Sequence, residues 1–510
     1  MKLRLERLAL GALLLTSCSA PREAGVRYRA ERELWQANRE ARRLGIQPKL
    51  ASNDDWRALA SRFEGIAAAY GTTPARTDTS EAGKAATEVR QIAARSLISA
   101  AEVHAILADS TRMMQNYERV ASEFKDLPLM RGEVALVQGR IAESKADWNT
   151  AIADYQIVVD QVQPEPGGVG VSTAVLDLPL RIARLQTRAA GIKPAEAAPF
   201  YDAARNQYQR WVDASPGTLI EVDSRRRLAD VAADRGDWNT AIASLRQLET
   251  QLRAKEMAGR DPGSVRFDIA VLETQTEPSG EASRKTLTTL LADYPKSPTA
   301  PQALLVLASD SGQRGQVDEA LGYLDRVRKE YPDVSDAVAQ SLLARGRVLE
   351  QNGRWSEARE TFRALPVDQP TSDAALQAPL EIAGHYARAN DEAGLTNALA
   401  DAEKHYRDFV ARYPPGRPAF AARVKLAQTL ALQKRYGDAV SELVEIAESM
   451  NGAPDGARYF VDAAGMALNQ MNDKTRAAEI LDRVAKLYPS AKVGQWAVAE
   501  ATRLREGSTP

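Results

Sequence analysis

The chain is poor in the residues that carry chemistry. One cysteine and three histidines among 510 residues cannot form a disulfide framework, nor a His/Cys zinc cage of ordinary type without carboxylate ligands. Aromatics make up only 6%, and the β-branched and aromatic runs that sheets prefer are scarce. The net charge is -1, from 67 basic and 68 acidic residues, which removes any whole-chain electrostatic case for nucleic acid. No apolar run approaches the ~20 residues needed to cross a bilayer as a helix. The Gly-x-Ser-x-Gly elbow, the His-Glu-x-x-His zinc motif and the Gly-x-x-x-x-Gly-Lys-Ser/Thr phosphate loop are all missing. What is present is 44% hydrophobic residues in a chain too long for one core, so it is several domains or a repeat array.

The array reading prevails. The heptapeptide Asp147-Trp-Asn-Thr-Ala-Ile-Ala recurs unchanged from Asp237, and looser copies follow. Aligned on one alanine, the copies are Ala151, Ala241, Ala320, Ala358, Ala439 and Ala477. Four residues later stand Tyr155, Leu245, Leu324, Phe362, Leu443 and Leu481; seven later stand Val158, Leu248, Val327, Leu365, Ile446 and Val484. The i, i+4, i+7 spacing puts all of them on one helical face, with the small alanine where two helices approach most closely. Three residues before the alanine come Trp148, Trp238, Val317, Trp355, Tyr436 and Lys474, and five before it, in three copies, Gly236, Gly315 and Gly353. A glycine there suits the left-handed turn that ends one helix before the next begins. Four of the second helices are expected to end at Tyr294-Pro295, Tyr331-Pro332, Tyr413-Pro414 and Tyr488-Pro489, because proline cannot continue a helix without losing a hydrogen bond.

The unit is a helical hairpin of about 38 residues, and the predicted class is all-α, an α-solenoid. Hairpins are expected over 26–160, a Gly/Pro loop over 161–172, degenerate repeats over 173–280, regular repeats over 281–505 and a tail at 506–510. The loop contains Gln163-Pro-Glu-Pro-Gly-Gly-Val-Gly170. Further breaks fall at Gly71 to Lys84 and near Gly259 to Gly280, where Ser264 is expected to cap a short helix running to Val271. Val26 to Leu44 reads as a charged amphipathic helix.

Each cluster that suggests chemistry also has a plainer reading. His385 and His405, on consecutive expected helices, could meet and with Glu381 or Glu403 bind a metal, but packed or exposed histidines are the preferred account. Glu442, Glu445 and Glu448 read as the wet side of a helix, and Arg225 to Arg227 as a solvated face. Ser122-Glu-Phe-Lys125 matches a Ser-x-x-Lys nucleophile motif without its Lys-Thr-Gly companion. The repeated Trp148, Trp238 and Trp355 belong to the hairpin core or anchor a partner. No catalytic residue, cofactor or metal is called for.

At the start, Lys2, Arg4 and Arg7 precede the apolar stretch Leu8 to Leu15, the layout of a secretory signal. The stretch ends at Leu15-Thr16-Ser17-Cys18, which resembles the bacterial lipobox. That resemblance implies a signal peptide over 1–17, lipidation of Cys18 with palmitate among its acyl chains, a lipidated tether over 18–25, and, with Ser19 following, outer-membrane sorting. The small-residue, aromatic and Tyr-Pro pattern resembles the tetratricopeptide repeat, whose unit is about 34 residues.

With Tyr294-Pro-Lys-Ser-Pro-Thr-Ala300 and the following Gln302-Ala-Leu-Leu-Val-Leu, the chain resembles extracytoplasmic repeat lipoproteins such as the barrel-assembly lipoprotein and the Tol-Pal-associated coordinators. About a dozen hairpins fit its length, well beyond the assembly subunit, and no binding residue transfers from that family. The implied function is a non-enzymatic scaffold, anchored to the membrane at Cys18 and facing the periplasm. Its partners would be envelope proteins or peptide segments, with no nucleic acid. The alternatives are a cell-wall or solute-binding lipoprotein, or an accessory to a cell-wall enzyme. A wall-cleaving enzyme itself needs a glutamate of raised pKa in a cleft.

Overall fold

The structure, a computed structural model, describes residues 22–46, 52–107, 109–165, 170–255, 261–414, 416–450, 456–488 and 492–506. Cys18 and segment 1–17 lie outside the described residues, as does 18–21 of the expected tether. The described residues are helical with no strand, and they form two compact units divided between Arg235 and Gly236.

The first unit holds α1 (Arg22–Ile46), α2 (Asn53–Tyr70), α3 (Glu81–Ile106), α4 (Ser110–Glu123), α5 (Pro128–Ser144), α6 (Trp148–Gln161), the short α7 (Val171–Ala174), α8 (Leu178–Ala190), α9 (Ala198–Ala214) and α10 (Leu219–Asp234). Neighbours in sequence pack against each other as antiparallel-type hairpins, α2 on α3, α3 on α4, α5 on α6, α8 on α9. A core of Leu59, Phe63, Leu97, Tyr117 and Phe124 fills the early hairpins; Tyr155, Tyr201, Tyr208 and Trp211 fill the later ones.

The second unit holds α11 (Trp238–Lys255), α12 (Pro262–Thr276), α13 (Glu281–Asp293), α14 (Ala300–Gln313), α15 (Val317–Glu330), α16 (Ser335–Gln351), α17 (Trp355–Asp368), α18 (Asp373–Arg388), α19 (Glu392–Arg412), α20 (Arg417–Leu432), α21 (Tyr436–Ser449), α22 (Gly456–Met471), α23 (Lys474–Leu487) and α24 (Lys492–Glu506). Besides the hairpin contacts, alternate helices touch in the middle of this unit: α14 on α16, α16 on α18, α18 on α20. That layering of first helices on first helices is the packing of an α-solenoid.

Local chemistry explains the element boundaries. The aspartates that open the repeated heptapeptide are N-caps: Asp147 accepts from the Thr150 amide at 3.2 Å, and Asp237 from the Thr240 amide at 3.2 Å. Tyr294, Tyr331, Tyr413 and Tyr488 each occupy the C-cap of α13, α15, α19 and α23, their amides closing the last helical bond. One expectation fails. Asp261, not Ser264, caps α12, its carboxylate accepting from the amides of Gly263 and Ser264, and the helix runs to Thr276 rather than Val271. Pro262 at the first helical position suits that start, since its missing N–H would have been unpaired there anyway.

Candidate functional site

The six aligned alanines occupy the fourth position of α6, α11, α15, α17, α21 and α23, and each is no more than 1% exposed. The aromatic or aliphatic residues four and seven further on are buried with them. The turn before each helix places its residue five before the alanine in the left-handed region. Gly236, Gly315 and Gly353 lie at φ 81°, 75° and 75°, and Ala146, Lys434 and Asn472 adopt the same conformation at 58°, 60° and 52°. Asn390 at φ 54° marks a further copy, in which Leu395 replaces the alanine. Its Leu399 and Ala402 are buried at the four- and seven-residue positions.

Twelve residues before the alanine, Gly139 and Gly346 let the ring from the second helix cross. A Cβ at 139 would stand 2.6 Å from Tyr155 Cε1, and one at 346 would overlap the Phe362 ring. The sequence signal for these glycines is only visible once the alanine register is known.

Both helices of a hairpin feed the core, and the first more heavily, since α14 and α16 each bury seven residues against four for α15 and three for α17. Gln302, Gln340 and Gln377, on α14, α16 and α18, each stand 18 residues before the register residue of the next helix (Ala320, Ala358, Leu395), and each is followed three residues later by Leu305, Leu343 or Leu380. Ionic contacts tie these first helices side by side. Arg347 of α16 donates to Glu381 of α18 at 2.5 Å, and Lys425 of α20 donates to Gln377 at 2.6 Å. Partial burial pushes the Lys425 ammonium below its ordinary range. On the same pair of helices, Glu350 accepts from Arg388 at 2.6 Å and lies 2.8 Å from His385 Nδ1. The His385 ring stacks on Trp355, centroids 3.5 Å apart, with Tyr386 edge-on. This glutamine and ion-pair row is the candidate interaction face.

The other singled-out residues fall into place around it. His405 packs against Tyr406 and Phe409, Glu403 pairs with Arg407 and Arg435, and His385 engages Glu350. The two histidines therefore have separate partners. Among the described residues no group of three His, Cys, Asp or Glu side chains could hold a metal ion. Glu442 and Glu445 both bind Arg423, and Glu448 binds Arg483. Arg225 pairs with Glu221, and Arg227 with Asp177 and Asp230. Ser122 donates to the Glu118 carbonyl of its own helix. Trp148 and Trp355 are half-buried, with Arg188 over the Trp148 ring; Trp238 is half-buried as well.

Sequence reasoning passed over several buried polar groups. In the first unit Arg90 donates to Asp126 and to the carbonyls of Thr73 and Glu123. Glu64 there is desolvated, yet hydrogen bonds from Asn116 at 3.0 Å and from His104 hold its carboxyl below the usual range. In the second unit Arg266 is held by Glu249 at 2.8 Å and by Asp293 at 2.5 Å, with Tyr294 donating to the same Glu249. Glu102 of α3 is reachable by solvent but crowded by protein. Desolvation, then the like charge of Glu133, pushes its carboxyl up to about 7. A raised glutamate is one element of glycosidase chemistry, but this one projects from a repeat helix beside Arg95 and Glu133.

With that geometry in view, comparison with known proteins gives a consistent class. Sequence models of the tetratricopeptide repeat match residues 305–374, 386–457 and 463–491. Those segments therefore carry tetratricopeptide repeats, a fold that typically binds protein partners and peptides. Among solved structures, yeast Tom70 aligns at 10% identity over 94% of this chain and 96% of its own, TM-score 0.38. A tetratricopeptide repeat protein of Parabacteroides merdae aligns at 15% identity over 55% and 98%, TM-score 0.30. The quorum sensor NprR of B. thuringiensis aligns at 12% over 77% and 98%, TM-score 0.31. No curated protein matches the chain by sequence. Among the described residues no helix is long and apolar enough to cross a membrane.

Proposed function

We propose that this chain is a lipid-anchored, non-enzymatic repeat scaffold of the bacterial cell envelope. It would gather protein partners or extended peptide segments at the outer membrane, on the periplasmic side. The observation that carries the scaffold reading is the side-by-side packing of successive first helices. α14 packs on α16 and α16 on α18, and these helices carry Gln302, Gln340 and Gln377 at one place in the repeat, 18 residues before Ala320, Ala358 and Leu395. The exposed amides of Gln302 and Gln340 can pair with the backbone of an extended segment, and Gln377 continues the row, bonded to Glu381 and Lys425. The anchor reading rests on Leu15-Thr16-Ser17-Cys18 after a basic and apolar leader.

The test is crosslinking in intact cells followed by capture and mass spectrometry, with the wild-type chain, Cys18→Ser and a Gln302/Gln340/Gln377→Ala variant. Envelope proteins captured by the wild type and lost from the triple variant support the face. Palmitate labelling that disappears in Cys18→Ser, with release from the membrane fraction, supports the anchor. Retention of glycan or small solute in place of protein partners would sink the scaffold reading.

A further inference from the structure

We infer that α1 is a membrane-surface helix whose outward stripe binds anionic phospholipid headgroups. Its inward side is unambiguous: Ala30, Leu34, Ala37, Ala41 and Leu44 are buried against the core that α2 and α3 complete. The opposite side carries Tyr28, Arg32, Trp35, Arg39 and Arg42 at spacings of four, three, four and three residues. At 3.6 residues per turn this sequence stays within a stripe about 80° wide and ~21 Å long. Tyr28 is 59% exposed and Trp35 54%, a placement that the core gives no reason for.

Three properties of the stripe select a lipid surface. Its charge has one sign along the centre line, and the one exposed acid beside it, Glu31, is already engaged by Arg27. The half-buried acids of α1 are turned to internal partners, Glu33 to the Tyr70 hydroxyl and Glu40 to Arg62. Among the described residues Arg32, Arg39 and Arg42 form no ion pair, although arginines elsewhere in the chain are paired as a rule, Arg62, Arg90, Arg119, Arg181 and Arg266 among them. Finally, amphipathic rings beside arginines are the composition of a bilayer interface, where the ring sits at headgroup depth and the guanidinium meets phosphate. Arg39 already lies over the Trp35 ring at 5.6 Å, so the two would enter the interface together. Position agrees with composition, since α1 begins four residues after Cys18. The binding itself requires no acyl chain.

The experiment uses residues 19–510, which contain every described element, without acyl groups, and vesicles of phosphatidylcholine alone or mixed with phosphatidylglycerol. The expected result is co-sedimentation with the anionic vesicles only, weakened by salt, with a blue shift of tryptophan emission that Trp35→Ser removes. R32Q/R39Q/R42Q should bind on the order of a hundredfold more weakly, at roughly fivefold per arginine. R32K/R39K/R42K should retain binding, and an unchanged helical circular dichroism spectrum checks the fold of each variant. Equal binding to neutral vesicles, undiminished binding of the glutamine variant, or preference for a single-stranded oligonucleotide over anionic vesicles would each overturn the inference. Because the probe carries no acyl group, a negative result leaves lipidation at Cys18 standing, and absence of lipidation leaves this surface standing.

Discussion

The two units are built from the same hairpin but enforce it differently. In the second, the register runs Ala241, Ala320, Ala358, Leu395, Ala439, Ala477, and a left-handed residue precedes each member, supplied without strain by Gly236, Gly315 and Gly353. The repeat models match there and leave the first unit unmatched. In the first unit only Ala151 keeps the register. Long helices such as α1 and α3 and the α7 interruption break the spacing, and buried polar networks around Arg90 and Glu64 join the apolar core. Hairpin stacking therefore accepts a leucine in place of the small residue, as at Leu395, provided that the two following positions are apolar, whereas recognisable repetition also needs a constant turn.

The largest test of this contrast is removal of the buried arginines. Arg266→Met strands Glu249, a carboxylate 8% exposed, and should cost about 3 to 5 kcal/mol. Arg90→Met should cost less, because Asp126 reaches solvent and the other partners are neutral carbonyls. Chemical denaturation of the two variants checks the order, and an Arg90 loss equal to that of Arg266 would erase the proposed difference.

Next come the register alanines. Ala358→Leu and Ala151→Leu should each cost about 1 to 3 kcal/mol by overpacking. Hydrogen exchange should show each loosening confined to its own hairpin and the neighbours of that hairpin. Free tolerance at Ala151 with damage at Ala358 would mean that the first unit only imitates the register.

Smaller effects should follow at the turns. Ala146→Gly relieves a left-handed alanine and should stabilise by up to ~1 kcal/mol, while Gly353→Ala imposes the same strain and should destabilise by about 1 kcal/mol. Thermal melts of the pair would show whether opposite signs are obtained.

The smallest is a pH dependence carried by Glu102. Its folded carboxyl titrates at about 7 against an ordinary 4.5, so the folded chain holds this proton more tightly than the unfolded one. Glu102 therefore contributes a loss of stability as pH rises from about 4.5 to about 7, complete above the upper value. Glu102→Gln should remove that slope from the difference between the two chains' stability-against-pH curves. An unchanged slope would show that solvent screens the site fully.

Much of the hairpin was legible in sequence because its determinants are local. Ala151, Tyr155 and Val158 lie within two helical turns of one another, and Asp147 caps the helix that contains them. The copy at Leu395 was not legible, since a leucine stands where the alignment looks for alanine and only the left-handed Asn390 reveals the turn. Ser264 misled for a related reason. Asp261, three residues earlier, competes for the same amides with a charged acceptor, and Pro262 favours the earlier start. The interaction face was legible only in part: Gln302 and Leu305 were visible as a motif, but their alignment with Gln340 and Gln377 requires first helices to pack side by side.

The all-helical class and the hairpin register follow from local order along the chain, since helix periodicity, capping residues and turn conformation act over a few neighbouring residues. The chain also contains the lipobox-like segment, which is read as a linear motif. The pairing of charges emerges from packing between distant helices. Glu249 lies 17 residues from Arg266, Glu350 35 from His385 and Glu64 52 from Asn116, and nothing in the local pattern pairs them. The same holds for α1, whose composition is evident in the chain but whose exposed stripe exists only because packing against α2 and α3 claims the other side.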